Sequence, residues 1–303
     1  MNLLNFLGDK KNREGLADLL ISSKERCPQT DLFGREGEWK NLNEILDQIF
    51  YLASNKKPLY RRWSEKIDDK VRILSVPQEP LTKLIKSYLL PLVKSARAHE
   101  RCHGGEEGWS PISSLATHLP FVSVLSFDLK SAFESFPPEE IYGFFMNFFS
   151  GSEYQEDNYR FLTLVSTVKY SHGRGLPVGS PLSMSLFNRA IRSLDENLDR
   201  SSLERGFRYT RWVDDITISS PGREEIERFL GAIDITLRNH PVSEGKIFFQ
   251  NNERDAYLLG QRITPNGRVY KNTREEREKN KIPSLDFRKF FGDTATRKYD
   301  SWA

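Results

Sequence analysis

Two apolar segments of this sequence carry aspartates where an aspartate is unfavourable, and this feature constrains the fold more than any other. The first covers residues 121–129, a run rich in β-branched and aromatic residues with Asp128 near its end. The second covers residues 209–219 and contains Asp214 and Asp215 side by side. Aspartate is depleted in strands, and adjacent carboxylates repel unless they are solvated, paired or bound to metal. A tight hairpin turn is the alternative reading of the second segment, because aspartate is common in turns.

Asp128 favours a shared site over an isolated turn. Apolar strands that end in carboxylates tend to lie side by side in a sheet, so we expect Asp128 and Asp214 to meet at one sheet edge. Clustered carboxylates are the hard oxygen ligands that Mg²⁺ prefers. Two such ions about 4 Å apart activate a hydroxyl nucleophile and stabilise a phosphate leaving group without a protein nucleophile. The sequence therefore predicts a two-metal site.

Composition limits the class of protein. The chain has 303 residues, 38% hydrophobic and 29% charged, which fits one large globular unit or two fused subdomains. No stretch approaches the roughly 20 apolar residues that span a bilayer, and residues 1–11 do not resemble a signal peptide. The cysteines, Cys27 and Cys102, are too few for a disulfide framework. We therefore expect a cytoplasmic protein with no membrane partner.

A basic stretch lies in the first third of the chain, although the net charge is only +3. Aromatic residues interleaved with lysine and arginine are typical of nucleic-acid-binding surfaces, and an ordinary solvated face is the alternative. The basic residues are Lys56, Lys57, Arg61, Arg62, Lys66, Lys70 and Arg72, followed by Lys94, Arg97 and Arg101, and the interleaved aromatics are Tyr60 and Trp63.

Hydrophobic periodicity predicts helices through the first part of the chain. Residues 42–50 carry an apolar stripe at helical spacing, and Asn41 followed by Glu44 is typical of a helix N-cap. A second stripe over residues 81–93 predicts another helix, bent at Pro91 because proline lacks an N–H donor. Both stripes indicate core packing.

Strands alternate with helices after about residue 120. This order favours an α+β sheet covered by helices on one face. The predicted elements are a strand at 121–129, a helix beginning at Pro138, a helix with Ser180 as N-cap, Pro181 at its first position and a buried stripe to Leu198, two strands within 209–219, a helix over 226–237 and a hairpin turning at 265–267.

Several short motifs follow one another along the chain. Each motif alone is weak evidence for a family, whereas the whole set in this order is specific. Together they resemble the motifs of reverse transcriptases, and in particular those of bacterial retron-type enzymes. They are Arg72-x-Leu74-x-x-Pro77, the segment from Gly108 to His118, Phe127-Asp128-Leu129 with Ala132-Phe133, the segment from Leu176 to Ser183, Val213-Asp214-Asp215, Lys246, and Leu258-Leu259-Gly260.

The resemblance implies an α+β right-hand polymerase with a helical N-terminus, fingers, an antiparallel-sheet palm and a short thumb. It implies RNA-directed DNA synthesis by two Mg²⁺ ions, with Mn²⁺ as a substitute, from deoxynucleotides on a structured noncoding RNA. The DNA product would stay linked to that RNA, and the system would serve antiphage defence, with a toxin or effector protein as a further partner and the oligomeric state left open. The implied domains are a helical extension at 1–60, fingers at 61–120, a palm at 121–265 and a short thumb or C-terminal tail at 266–303.

The resemblance also implies a role for individual residues of the metal site. Asp128 and Asp214 would be metal ligands, with Asp215 as their companion carboxylate. Leu129 belongs to the implied metal-binding and nucleotide-binding positions. Lys246 would protonate the departing pyrophosphate, and a solvated lysine is the alternative.

Other residues would hold the nucleotide. Arg72 would bind the triphosphate, assisted by Lys66 or Lys70. Phe133 lies five residues after Asp128 and would exclude a 2′-hydroxyl, whereas a core aromatic is the alternative reading.

The loop at residues 178–179 combines a family feature with a departure from the family pattern. Gly179 would let the backbone approach the nucleotide or template closely. Val178 stands where the family usually has glutamine, so it offers no side-chain hydrogen bond.

Several alternatives stay open at this stage. A defence-associated reverse transcriptase outside retrons would use a protein primer or synthesise without a template. An RNA-binding scaffold on the same fold is disfavoured because all three carboxylates are present, and an RNA-templated RNA polymerase is disfavoured by Phe133. The residues His99, Cys102 and His103 lack a second half of a zinc site, and His118 is predicted to be structural.

Overall fold

A computed structural model describes most of the chain. The chain divides into two compact units, and each unit is built from two separate stretches of sequence. The first unit comprises Met1–Arg97 and Phe133–Ala190, and the second comprises Ala98–Ala132 and Ile191–Ala303. The described residues are 2–25, 34–67, 70–150, 156–220, 222, 229, 237, 240–251, 255–264 and 267–271.

Helices and strands alternate through both units. In chain order the helices are α1 Leu3–Gly8, α2 Lys10–Glu25, α3 Gly34–Ser54, α4 Glu79–Leu84, a π-helical turn Ile85–Leu89, α5 Leu90–Ser95, α6 Pro111–Ala116, α7 Pro138–Phe148, α8 Glu156–Val165, α9 Ser183–Ala190 and α10 Arg192–Leu203. The strands are β1 Tyr60–Ile67, β2 Lys70–Pro77, β3 Ser123–Leu129, β4 Val168–Tyr170, β5 Gly173–Gly175, β6 Arg208–Trp212, β7 Asp215–Ser220, β8 Val242–Asn251, β9 Ala256–Leu258, β10 Gln261–Ile263 and β11 Val269–Lys271.

The first unit begins with the helices α1 to α3, as the periodicity predicts. The prediction that Asn41 caps a helix is wrong, because Asn41 lies inside α3 and its amide donates to the Tyr88 hydroxyl at 3.2 Å. The first turns of α3 read Gly-Arg-Glu-Gly-Glu-Trp-Lys. Since these residues are almost wholly polar, the apolar stripe that marks the helix starts well after the helix itself.

The basic stretch forms an antiparallel hairpin of β1 and β2, which the sequence patterns did not predict. The irregularity predicted at Pro91 is present as the π-helical turn directly before it. Leu90 N bonds back to the carbonyl of Ile85 there, which is the wider spacing of a π turn. The stripe residues between 81 and 93 are buried, so the prediction that this stripe packs in the core is confirmed.

The later part of the first unit contains one confirmed helix start and one wrong one. α7 begins at Pro138 as predicted, since proline is favoured at a first helical position. The prediction that Ser180 caps the next helix is wrong, because α9 begins at Ser183, whose hydroxyl donates to the carbonyl of Pro177 at 2.7 Å. The glycine-rich loop, Gly173–Gly179, and a turn that ends at residue 182 precede this helix.

The second unit is built on a four-stranded antiparallel sheet of order β6-β7-β3-β8. β3 lies in its interior, and all seven of its residues are buried. The predicted strands at 121–129 and within 209–219 are therefore confirmed, whereas β8 was not predicted. β9, β10 and β11 form a small antiparallel sheet of their own.

The helix predicted from Ser180 to Leu198 is divided at Ile191, whose ψ of 6° interrupts the α-helical backbone between α9 and α10. The buried stripe continues on both sides of the break, so periodicity did not detect it. The predicted hairpin is confirmed by the antiparallel pairing of β10 with β11, although residues 265 and 266 of its turn lie outside the described residues. The helix predicted over 226–237 falls mostly outside the described residues.

His118 is a buried structural residue, as predicted. Its ring nitrogens bond to the hydroxyls of Ser219 at 2.8 Å and Thr210 at 2.7 Å. Burial lowers the pKa of His118 to about 3, so the ring is neutral at physiological pH. It therefore ties α6 to β6 and β7 without carrying charge.

None of the helices among the described residues has the length and apolar character needed to cross a membrane.

Candidate active site

The predicted carboxylates lie at one edge of the four-stranded sheet. The Cα atoms of Asp128 on β3 and Asp215 on β7 are register partners. Trp212 pairs with Asp215 across β6 and β7, which leaves Val213 and Asp214 at the tip of the connecting turn. The backbone N–H of Leu129 donates to the Asp214 carbonyl at 2.9 Å. Strand register therefore brings all three aspartates to the same end of β3 and β7.

Burial and charge distinguish the members of this site. Asp128 is 8% exposed, and the ammonium of Lys246, on β8, contacts its Oδ2 atom. Burial raises the pKa of Asp215 to about 6, because a carboxylate loses solvation when it is enclosed. Nearby positive charge would offset this cost, and Lys246 supplies some of it at Asp128.

The donor chemistry of the site suits a hard cation. Asp128, Asp214 and Asp215 offer carboxylate oxygens, the ligand type that Mg²⁺ prefers. Within the described part of the chain, no group of three or more histidine, cysteine, aspartate or glutamate side chains is arranged to hold a metal ion. The Lys246 ammonium contacts Oδ2 of Asp128.

Phe133 and Arg72 belong to the first unit. The Phe133 ring is half-buried and stacks on the ring of Phe187, with centroids 5.2 Å apart. The Phe133 carbonyl accepts a hydrogen bond from Leu176 N at 2.7 Å, which ties it to the glycine-rich loop. Arg72 is exposed on β2, and so is Lys66 on β1, whereas the side chain of Lys70 lies outside the described residues.

The loop that carries Val178 and Gly179 is attached to β2. The Val178 carbonyl accepts a hydrogen bond from Ser75 N at 2.7 Å. Gly179 has a φ of +103°, and a Cβ atom there would lie 3.2 Å from Cγ2 of Val76. Glycine is therefore favoured by the positive φ, and a side chain there would also crowd Val76 on β2.

Sequence reasoning missed a buried ion pair beside the aspartates. Arg211 on β6 donates to both carboxylate oxygens of Asp195 on α10 at 2.7 Å, and both side chains are fully buried. The Tyr209 hydroxyl donates to the same carboxylate at 2.6 Å. The available signal was Asp195 itself, an acidic residue that interrupts the buried stripe of its helix.

Comparison with known proteins identifies the family. The family model described as "Reverse transcriptase (RNA-dependent DNA polymerase)" matches residues 63–263, about two thirds of the chain. This chain belongs to the reverse transcriptase family. The match spans every motif quoted from the sequence and includes both strands that carry the aspartates.

Curated relatives of this reverse transcriptase chain include retron enzymes, so the retron-type resemblance is confirmed. The retron Ec86 reverse transcriptase of Escherichia coli is 23% identical over 183 residues, covering 60% of this chain and 55% of the relative. The retron Mx162 reverse transcriptase of Myxococcus xanthus is 27% identical over 209 residues, covering 63% and 42%. The chain thus spans about half the length of the curated relatives it matches.

Solved telomerase structures share the fold. Apo telomerase from Candida tropicalis, truncated from its C-terminal domain, matches with a TM-score of 0.51 at 13% identity, covering 70% of this chain and 55% of the other. Candida albicans telomerase, in complex with a TWJ fragment of telomeric RNA, matches with a TM-score of 0.52 at 13% identity, covering 86% and 54%. These likenesses confirm the predicted fold class, an α+β right-hand polymerase with an antiparallel sheet. The boundaries of fingers, palm and thumb stay predictions.

Proposed function

We propose that this chain is an RNA-directed DNA polymerase that uses Asp128, Asp214 and Asp215 as its catalytic carboxylates. The observation that carries the proposal is the cross-strand pairing of Asp128 with Asp215, next to the turn that bears Asp214. In a chain of the reverse transcriptase family, this concentration of negative charge at a sheet edge suits binding of divalent cations, which would in turn bind the phosphates of a nucleoside triphosphate.

The metal site of the proposal consists of these three aspartates, with Leu129 as a further position by resemblance. Two Mg²⁺ ions, or Mn²⁺ in their place, would lower the pKa of the primer 3′-hydroxyl and neutralise the charge of the leaving pyrophosphate. The protein has no covalent step to perform. Its contribution is to hold the reacting oxygens in line and to exclude competing water.

Lys246 is proposed to donate a proton to the pyrophosphate. Its contact with Asp128 supports this role, because it keeps an ammonium group among the catalytic carboxylates. The same contact supports a purely electrostatic role, in which Lys246 offsets the negative charge of Asp128. Proton donation requires the Lys246 ammonium to release a proton, whereas the electrostatic role requires only its positive charge.

The nucleotide would be recognised by four further residues. Phe133 is proposed as the steric gate against a 2′-hydroxyl, and its stacking on Phe187 supports this, because a ring held in one orientation discriminates shape better than a mobile one. Arg72 is proposed to bind the triphosphate, and its exposure on β2 leaves its guanidinium accessible. Val178 and Gly179 would line the nucleotide or the template from the loop attached to β2.

The template is proposed to be a structured noncoding RNA, and the setting an antiphage retron in a cytoplasm. The names of the retron relatives support the retron part of this assignment. A toxin or effector partner remains a prediction of the resemblance. The alternative is a reverse transcriptase outside retrons, which would use a protein primer or synthesise DNA without a template.

The decisive activity test is Asp214→Asn, assayed on a primed RNA template with deoxynucleotides and Mg²⁺. We expect DNA synthesis to fall by roughly three orders of magnitude or more while binding of the primed template is retained. The matched control is Asp157→Asn, which removes a half-exposed carboxylate on α8 and should leave the rate unchanged. Full activity in Asp214→Asn would refute the proposed function.

A second experiment decides the template. The protein is purified from its host and the nucleic acid that copurifies is sequenced. RNA joined covalently to DNA supports a retron, and DNA joined to protein supports protein priming. RNA alone, from an active-site-intact protein, favours an RNA-binding scaffold.

A further inference from the structure

The turn that carries Asp214 contains a strained residue. Val213 has a φ of +58°, in the left-handed region of backbone conformation. A β-branched residue is seldom found there, because its side chain collides with the neighbouring backbone. Such a conformation persists only where surrounding groups over-determine it. The groups that do so here also determine the position of Asp214, the next residue.

The first of these groups is the guanidinium of Arg211. Its Nη1 atom donates to the carbonyl of Val213 at 2.7 Å. That carbonyl belongs to the peptide bond joining Val213 to Asp214. Because this planar group includes the Cα atom of Asp214, the hydrogen bond restrains the position of the atom that carries the Asp214 side chain.

The guanidinium is itself held by other groups. Its Nε and Nη2 atoms form the bidentate pair with Asp195, and the Tyr209 hydroxyl donates to the same carboxylate. The Arg211 backbone is held as well, because its N–H donates to the Arg101 carbonyl at 2.9 Å and its carbonyl accepts from His103 N at 2.8 Å. A planar guanidinium whose three nitrogens all donate hydrogen bonds is suited to holding the Val213 carbonyl at a fixed angle.

The second group is Gly104, which approaches the same turn through its backbone. A Cβ atom at Gly104 would lie 2.4 Å from Val213 N and 2.7 Å from the carbonyl carbon of Trp212. Gly104 N also donates to the Arg211 carbonyl at 3.3 Å. The backbone of Val213 is therefore restrained by the Gly104 segment as well as by the guanidinium.

We propose that Arg211, fixed by Asp195, is a positioning residue that holds Val213 in its left-handed conformation and thereby aims the Asp214 carboxylate at the metal site. This inference rests on the proposed polymerase function, but it concerns residues that contact neither substrate nor metal in it. A buried ion pair alone is weak support for stability. The third hydrogen bond, to the strained turn, gives this pair a role in catalysis.

The test uses Arg211→Lys, with and without Val213→Gly. Lysine retains the ion pair with Asp195, but a single ammonium cannot also reproduce the fork that bonds to the Val213 carbonyl. We expect kcat to fall roughly ten- to a hundredfold, as for a small displacement of a catalytic group, with a much smaller change in the KM for deoxynucleotides. Glycine adopts positive φ freely, so Val213→Gly should restore most of the lost kcat in the double variant.

A second readout separates failure of this inference from failure of the proposed function. Mn²⁺ binding to each substrate-free protein is titrated by electron paramagnetic resonance, and Arg211→Lys should weaken it in a manner that Val213→Gly reverses. If wild type binds Mn²⁺ in this way but makes no DNA, the proposed function fails and the positioning role stands. Unchanged kcat and Mn²⁺ affinity in Arg211→Lys, or losses that Val213→Gly does not reverse, overturn the inference.

Gly104→Ala provides a variant that leaves the ion pair untouched. Its methyl group would press on the Val213 backbone, so we expect the same loss of kcat and Mn²⁺ affinity even if Arg211→Lys fails to fold. The matched control is Gly143→Ala on α7, where a Cβ atom meets nothing within 4 Å. Equal kcat in both alanine variants would overturn the inference.

Discussion

Asp128 and Asp215 are register partners on adjacent antiparallel strands, so two carboxylates lie opposite each other in a buried sheet. Like charges placed directly across a strand pair are destabilising, and burial adds to the cost. Lys246 offsets part of it at Asp128. The proposed catalytic site therefore concentrates charge at the expense of stability.

Removing one of these charges should stabilise the metal-free fold. We expect Asp215→Asn to raise the free energy of unfolding by about 1 kcal/mol in chelator at pH 8, while DNA synthesis is lost. Urea denaturation measures the first effect and primer extension the second. Asp195→Asn is the opposing control, because it weakens the buried pair with Arg211 and should destabilise. Destabilisation by Asp215→Asn would contradict the repulsion argument.

Phe133→Ala should relax sugar selection. We expect discrimination between a deoxynucleotide and its ribonucleotide, measured as the ratio of their kcat/KM values, to fall by roughly tenfold or more. Phe136→Leu is the matched control, because Phe136 packs edge-on against the same Phe187 ring and is buried. It should lower stability without changing the ratio. An unchanged ratio in Phe133→Ala would leave Phe133 as a core aromatic.

Substitutions of Lys246 separate proton donation from charge neutralisation. Lys246→Gln should lower kcat by roughly a hundredfold under either role, because both the proton donor and the ion pair are lost. Lys246→Arg keeps a positive charge beside Asp128 but is a poor acid at neutral pH. If Lys246 donates the proton, Lys246→Arg should be nearly as slow as Lys246→Gln. Recovery of most activity in Lys246→Arg would assign the residue an electrostatic role.

His118 should make the fold sensitive to acid. Its pKa in the fold is about 3, lowered by burial and by the neighbouring His103, Arg208 and Arg101. An unfolded histidine titrates near 6.5, so the unfolded state binds more protons as the pH falls below that value. The stability that neutral His118 contributes is complete above pH 6.5 and is lost as the pH falls towards 3. Between pH 7.5 and pH 5 the loss amounts to about 2 kcal/mol.

The measurement is the free energy of unfolding of wild type and His118→Gln at both pH values. The difference between the two pH values should shrink by about 2 kcal/mol in the variant. The exposed His172→Gln serves as control and should retain the wild-type difference. An undiminished difference in His118→Gln would exclude His118 as its source.

The elements that the sequence predicted are those that depend on local pattern. Apolar runs rich in β-branched and aromatic residues predicted β3, β6 and β7, and proline at a first helical position predicted the start of α7. The predictions at Asn41 and Ser180 were wrong, because a capping residue type also occurs inside helices and turns. β1 and β2 were missed because their charged residues conceal the strand period.

For this protein, then, the sequence by itself determined the family, the order of its motifs and the aspartates at the ends of two strands. Only the tertiary structure decided that Asp128 faces Asp215, that Lys246 reaches Asp128 from β8, and that Arg211 joins Asp195 to the strained turn. Local preference depends on neighbouring residues and can be read along the chain. Strand register and buried ion pairs join residues far apart in sequence, and they are selected by the packing of the whole sheet.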